Sequence, residues 1–417
     1  MLDKLIVEGP WGMHQQGHLM RLTRVSYARF SDTKTKQATT YINSPLTGAQ
    51  IEVQYLVKPI AEREMAAVRI TIPVASALVG HNYFHDGLSA LSWEILCAGQ
   101  LVRMVLYAIG MTEAEMENYM LKARAVFAEL TWHTACESVK ARQSLQTRTI
   151  EFMRAARDLS RHRSVEVADA EIRESKSGRA LLVDLKSGDG ARQYCKPEQL
   201  KSRRQTKLGK RCLIPDIAAR LNGTMTELAR HTRNELLVGE DTLASLGLHR
   251  PGLLKHPNRV QPLVEAVWRK LGFGSRNSEF DPSKVGAAAL ATLNSLEAGV
   301  ELKLSGPTFS RHRMEILAAN GPDIAMAGVD LGFNAGNTGY QLAFARRWKV
   351  PEEWLDLVVS DRTGPALLEE LQRGLAYLRD GETPFDDPVL AKAWRARWDK
   401  FRADQRLGGP DESSVAA

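Results

Sequence analysis

The chain has 417 residues, 44% of them hydrophobic and 25% charged, which is the make-up of a globular protein with room for two or three domains and excludes disorder as the default. Its 56 Lys and Arg against 49 Asp and Glu leave a net charge of +7 and a pI near 9.2, a mild bias toward a polyanionic partner. Four scattered cysteines (Cys97, Cys136, Cys195, Cys212) form no Cys-x-x-Cys, so neither a disulfide framework nor a zinc knuckle is expected, and a reducing cytoplasm fits.

The opening stretch, Met1 to Trp11, mixes Asp3, Lys4 and Glu8 with apolar residues and lacks the layout of a signal peptide. Its apolar content predicts a strand over residues 1–8, and further strands are expected over 51–57 and 66–74. A polar loop, Val79 to Asp86, follows, with Asp86 placed to cap the next helix. From Leu88, apolar residues recur at Leu91, Ile95, Val102, Val105 and Ile109 with helical spacing, and Gly110 is a natural stop. Glu94, Gln100 and Arg103 interrupt that stretch and argue against a membrane span. Thr112 and Glu115 form a capping box for a second helix running to about Ala123.

Residues 125–134 alternate as a strand. Val126, Ala128, Leu130 and Trp132 face a core, while Phe127, Glu129, Thr131 and His133 present the opposite face. Glu129 and His133 on that face suit half of a site for Mg²⁺ or Mn²⁺, and an exposed polar strand face would carry the same residues. A polar helix is expected over about 137–161, with Ile150, Met153, Ala156 and Leu159 inward. Residues 181–185 and 192–196 read as a hairpin across Lys186-Ser-Gly-Asp-Gly190, which places Tyr194 on a strand. Pro197 cannot donate to a ladder and implies a sheet edge or strand end there. Residues 233–238 are read as a strand.

Tyr194 acts as a nucleophile only where its proton is removed or its oxyanion stabilised, and Lys196 offers a nearby ammonium for that charge. A tyrosine packed on a sheet would look the same. Between residues 201 and 211 lie six basic residues (Lys201, Arg203, Arg204, Lys207, Lys210, Arg211) and no acid, a DNA-contacting run or a solvated loop. His81 and His85 are read as part of a helix-capping loop. After residue 250 the texture becomes alanine- and leucine-rich and helical. The expected division is therefore a strand-containing domain over 1–250, a mainly helical one over 251–407 and a disordered tail over 408–417. Within the second, Ser305 and Pro307 open a short helix carrying Arg311 and Arg313, either the recognition helix of a helix-turn-helix or an amphipathic surface helix.

Taken in order, these segments resemble the gene II-type replication initiators of filamentous bacteriophages and related phage and plasmid rolling-circle initiators. The resemblance runs over residues 1–325. It rests on the opening Met-Leu-Asp-Lys-Leu-Ile-Val, on Gly80-His-Asn-Tyr-Phe84, on Glu129-Leu-Thr131, on Tyr194-Cys-Lys196, on Arg233-Asn-Glu235 and on Thr308-Phe-Ser-Arg-His-Arg313. It implies an α+β fold with an antiparallel sheet and a metal-dependent nickase that acts on double-stranded replicative DNA at an origin in a bacterial cytoplasm. In such enzymes a tyrosine stays joined to the 5′ phosphate while the free 3′ hydroxyl primes rolling-circle synthesis, and the displaced single strand is later reclosed. Carried over, Tyr194 is the nucleophile, Lys196 the phosphate-facing cation, Glu129 and Glu235 the carboxylate ligands and His133 a third ligand. Host helicase and polymerase are the implied protein partners, and no membrane is. Relatives often carry Arg where this chain has Phe127, which keeps open a non-catalytic origin-binding protein of the same family. A relaxase or transposase using the same tyrosine chemistry is the other alternative.

Overall fold

A computed structural model describes residues 2–11, 37–60, 63–88, 90–160, 171–174, 180–204, 214–271, 280–297, 304–319, 321, 324, 348–381 and 383–406. Within them, segments dense in β-branched and aliphatic residues pair into a nine-stranded sheet. The strands are β1 (Leu2–Pro10), β2 (Gln37–Asn43), β3 (Gln50–Ile60), β4 (Arg63–Pro73), β5 (Arg124–Ala135), β6 (Glu171–Glu174), β7 (Leu181–Asp184), β8 (Gly190–Tyr194) and β9 (His231–Gly239). Their order is β2-β3-β4-β1-β5-β9-β8-β7-β6, and every neighbouring pair is antiparallel. The centre thus joins segments far apart in sequence, and the two hairpin systems flank it. The α+β class with an antiparallel sheet holds.

The helices are α1 (Val74–Val79), α2 (Leu91–Ala108), α3 (Glu113–Lys122), α4 (Val139–Ser160), α5 (Lys196–Arg204), α6 (Pro215–Leu228), α7 (Glu240–Ser245), α8 (Val260–Lys270), α9 (Ala287–Glu297), α10 (Gly306–Ala318), α11 (Gly364–Asp380) and α12 (Pro388–Arg406). The Thr112–Glu115 capping box opens α3 as the sequence predicts. Gly80 closes α1 at φ 82°, a conformation that suits glycine, and a Cβ there would lie 2.9 Å from the Ile214 side chain. Ser305 caps α10, with Pro307 in its first turn.

One buried apolar cluster includes Leu2, Leu130 and Trp132 of the sheet, Leu101 and Val105 of α2, Leu263 of α8, Leu371 of α11 and Trp398 of α12. Elements from both sides of position 250 therefore share a core. The described elements after Gly239 are all helical. A small second cluster joins α9 to α10 through Ala289, Leu293 and Ile316. No described helix is long and apolar enough to cross a membrane.

Three local expectations differ from the structure, and a fourth resolves between its two alternatives. Asp86 does not cap α2: the helix begins at Leu91 after Ala90, with no side-chain cap. Of the two alternatives at Pro197, the strand end holds and the edge does not: β8 stops at Tyr194 and lies between β7 and β9. Lys196 is not on that strand. Cys195 leaves the ladder, its carbonyl accepts from Gln199 N–H at 3.0 Å, and Pro197 sits in the first turn of α5, where a missing N–H costs nothing. Finally, the polar side of β5 is not presented to solvent, because both faces are covered: Glu129, Thr131 and His133 are as buried as Leu130 and Trp132.

Candidate functional site

The buried polar face is built by register. On β5 and β9, Thr131 lies opposite Glu235 and His133 opposite Arg233, and directly opposed residues point to the same side of a sheet. On β8, Tyr194 lies opposite Arg233 and Arg192 opposite Glu235. β1 completes the face through an irregularity: Leu2 pairs with Leu130 and Lys4 with Glu129, so Asp3 is an extra residue on that strand. The bulge lets Asp3 join acids from β5 and β9. One carboxylate oxygen from each of Asp3, Glu129 and Glu235 lies within 4.8 Å of the others.

Three buried carboxylates at this separation repel one another unless positive charge or protons intervene. The intervening cation is Arg233, fully buried. Its guanidinium donates to Asp3 Oδ2 at 2.6 Å, to Glu235 Oε1 at 2.8 Å and to the Asn82 carbonyl at 2.7 Å. Arg192 approaches the other Glu235 oxygen at 3.9 Å. Burial pushes the Glu235 carboxyl up, but Arg233 and the hydrogen bonds from Tyr194 and Arg233 outweigh it and hold the group below the ordinary value. Glu129 is left with less. Lys4 stands 4.0 Å away, no hydrogen bond reaches Glu129 from the described residues, and burial followed by Glu235 and Asp3 pushes its carboxyl up to about 8.

The Tyr194 hydroxyl donates to Glu235 Oε1 and so points into the cluster. Burial raises its pKa well above the phenol value, so it rests here as a neutral donor. The Lys196 ammonium, also buried, donates to Asn82 Oδ1 at 3.0 Å, while the Asn82 amide donates to Asp3 Oδ2 at 3.1 Å. Asn82 thereby ties the ammonium to the carboxylates. Of the histidines in the same loop, His81 accepts from the Tyr83 N–H at 3.1 Å and donates from Nε2 to the Leu357 carbonyl at 2.6 Å, and burial holds it near 4. His85 lies 4.0 Å from Asp3 and 3.7 Å from Glu94, and its Nε2 has no hydrogen-bond partner.

The structure thus brings Tyr194, Lys196, Glu129 and Glu235 together. His133 is on the same face, but the carboxylate trio does not include it. Both of its ring nitrogens are buried without partners, and its ring packs against His231 and Trp348, with ring centres 6.2 and 6.1 Å away. Lys201, Arg203 and Arg204 fall in the last turns of α5, whereas Lys207, Lys210 and Arg211 lie outside the described residues, as does the 408–417 tail. Arg311 and Arg313 are on α10, away from the sheet; Arg311 is exposed, and His312 between them turns inward to Thr292 at 2.8 Å.

Sequence reasoning gave no role to Asp3, Arg233 or Asn82. The signal for Asp3 was an acid inside an otherwise apolar strand opening, Leu-Asp-Lys-Leu-Ile-Val. For Arg233 it was a cation two residues from an acid, on one side of a strand whose residues are all buried. No family model matches the chain, and no curated protein or solved structure matches it either.

Proposed function

We propose that the chain is a metal-dependent DNA strand-transfer enzyme that nicks one strand of an origin and later recloses it, with Tyr194 as nucleophile. The observation that carries this reading is the hydrogen bond from the Tyr194 hydroxyl into a cluster of three buried carboxylates. A buried tyrosine hydroxyl needs some partner; here the partner is a carboxylate that belongs to a cluster of three, which would place the phenol beside a bound cation.

The donor set suits a hard divalent cation. Asp3, Glu129 and Glu235 offer three oxygens, and Thr131 Oγ1 and His85 Nε2, both buried on this side, have no partner. Asp3, Glu129 and Glu235 would hold Mg²⁺ or Mn²⁺, which when bound offsets charge on a phosphodiester. Glu235 accepts the Tyr194 proton as the phenol oxygen forms a bond to phosphorus. The bond from phosphorus to the 3′ oxygen breaks, and that oxygen leaves as a hydroxyl by taking the proton that Glu235 received from Tyr194. The Lys196 ammonium, held by Asn82, offsets phosphate charge as the new bond forms. Reversal of the same steps recloses the strand. Host helicase and polymerase belong to this proposal as the partners of an initiator.

A second reading has its own observation. Arg233 already bridges Asp3 and Glu235, so the cluster is partly neutralised without a metal, as in a binding protein of the same fold that performs no chemistry. Incubation with supercoiled origin-bearing plasmid and Mn²⁺, followed by denaturing electrophoresis, separates the two. The proposal expects a covalent protein–DNA adduct that Tyr194→Phe reduces by about 10³-fold or more while folding as the wild type does. An adduct that survives Tyr194→Phe removes Tyr194 from the chemistry, and origin binding without any nick favours the second reading.

A further inference from the structure

Beside the site lies a cavity of about 520 Å³, within the roughly 300–1,000 Å³ range of small-molecule sites. Its lining is mostly apolar, with Tyr83, Pro197, Leu200 and Met225 among the walls and Asn222 and Arg230 among the polar groups. Two of those walls continue into the site through the chain itself. Tyr83 follows Asn82, and Pro197 follows Lys196, the pair joined by the 3.0 Å hydrogen bond that fixes the ammonium beside the carboxylates. Two walls of the cavity are thus sequence neighbours of the residues that hold the ammonium.

We propose that this cavity takes one unstacked nucleobase of single-stranded DNA next to the phosphate that Tyr194 attacks. This rests on the strand-transfer reading and adds to it how the strand is held. Enzymes that act on a single nucleotide draw it out of the stack, hold its faces between aromatic and apolar side chains and meet its edge with hydrogen-bonding groups. Tyr83 supplies an aromatic surface, and Pro197, Leu200 and Met225 supply apolar ones. Asn222 offers both an amide donor and an acceptor, and Arg230 lines the cavity paired with Glu227, so that donors and an acceptor stand side by side there. A fully apolar ligand would make no use of the Asn222 amide, and a bare phosphate would have no use for the apolar walls and would face the Glu227 carboxylate. A base has apolar faces and a polar edge, and its attached phosphate carries the charge that the Lys196 ammonium complements. The helix that contributes Pro197 and Leu200 ends Lys-Ser-Arg-Arg, a sequence matched to a polyanion.

The test is binding without chemistry, by fluorescence anisotropy, of a short oligothymidylate and of an abasic strand of equal length and charge. Stacking on one aromatic predicts that the wild type prefers the base-bearing strand roughly 5- to 100-fold. Tyr83→Ala loses that preference but keeps the abasic affinity, whereas Tyr83→Phe retains the preference. Thr226→Trp, which fills the cavity from an exposed position on α6, loses it too, and guards against misfolding of the Tyr83 variant. Equal binding of the two strands by the wild type overturns the proposal. So does a preference that survives both Tyr83→Ala and Thr226→Trp. Neither outcome depends on nicking, so a failure of Tyr194 as nucleophile shows only in the adduct assay.

Discussion

Two buried acidic centres in this protein look alike by burial and differ in how they are satisfied. Asp189, in the β7–β8 turn, is one carboxylate with a full set of donors: the Gly239 N–H at 2.8 Å, the Thr242 hydroxyl at 2.7 Å, the Ser187 hydroxyl at 3.1 Å and the Lys270 ammonium at 2.8 Å. Of Asp3, Glu129 and Glu235, the first and last share one buried guanidinium, Glu129 receives no hydrogen bond from the described residues, and orphaned polar atoms flank the three. A carboxylate with one donor on Oδ1 and three on Oδ2, one of them an ammonium, pins a turn to the sheet and has its charge already offset. Carboxylates left short of positive charge are costly unless something else supplies it, which is why the proposal puts a cation at the trio and none at Asp189.

The largest expected effect comes from removing the shared cation. Arg233→Met leaves Asp3 and Glu235 buried without their partner and exposes the Asn82 carbonyl to a lost hydrogen bond. Urea unfolding is expected to show a loss of about 3–5 kcal/mol, the usual cost of breaking a buried ion pair from one side. Because a cation and the guanidinium serve the same oxygens, millimolar Mg²⁺ or Mn²⁺ restores part of that loss. A cost under about 1 kcal/mol means the acids are already neutral, and the contrast with Asp189 disappears.

Next in size is the response of the unaltered protein to divalent cations. A ligand bound only by the folded state at a hundred times its dissociation constant stabilises by about 2.7 kcal/mol, read as a rise in the thermal midpoint. Glu129→Gln is expected to abolish that rise while sparing the fold, since its carboxyl is already pushed toward the protonated form. If Mn²⁺ leaves the wild-type midpoint unmoved, the trio holds no metal and the case for a structural cluster is made.

The imidazoles near the trio give a smaller effect of defined sign. His81 and His231 are both held near 4, chiefly by burial, and His85 and His133 are also held low by burial. A histidine depressed in the fold binds fewer protons than when unfolded, so its contribution is whole above about 6.5 and declines as pH falls toward 4. Glu129 and Glu94, both raised by burial, act in the opposite sense, losing stability as pH rises through their folded values. Four groups against two leave a net loss toward acid. His81 alone accounts for roughly 2 kcal/mol between pH 6.5 and 5, a window in which ordinary carboxylates remain ionised. Urea titrations at the two pH values measure it, and a stability that is flat or rises toward pH 5 contradicts the burial of these rings.

How much of this was legible follows the range of the signal. The Thr112–Glu115 box, the alternation of residues 125–134 and the run Arg233 to Val238 are local patterns, and each forms the element expected. Glu129 and Glu235 could be paired only through the order of motifs along the chain. Asp3 was hidden because a bulge, not simple alternation, turns it to the polar face. Burial of both faces of β5 was hidden too, since the covering Gly80–Asp86 loop and Trp348 are brought in from distant sequence. Pro197 both follows the strand end that the sequence predicts and sits in the first turn of a helix that it does not, two roles that share one sequence signature.

Asp189→Asn is expected to have the smallest effect, and the reason is the kind of donors it uses. The retained Oδ1 still accepts from Gly239 N–H, and a Cβ-free Gly239 keeps the approach to Ser187 and Gly188 open. Ser187 and Thr242 are hydroxyls, which can reverse and accept from the new amide. Only Lys270 loses its partner, and its side chain, 27% exposed, can turn to water. The cost should be about 1–1.5 kcal/mol by urea unfolding, with no change in the response to Mn²⁺. A loss as large as that of Arg233→Met would mean that the turn, too, stores uncompensated charge, and that a complete donor set does not separate a structural acid from a functional one.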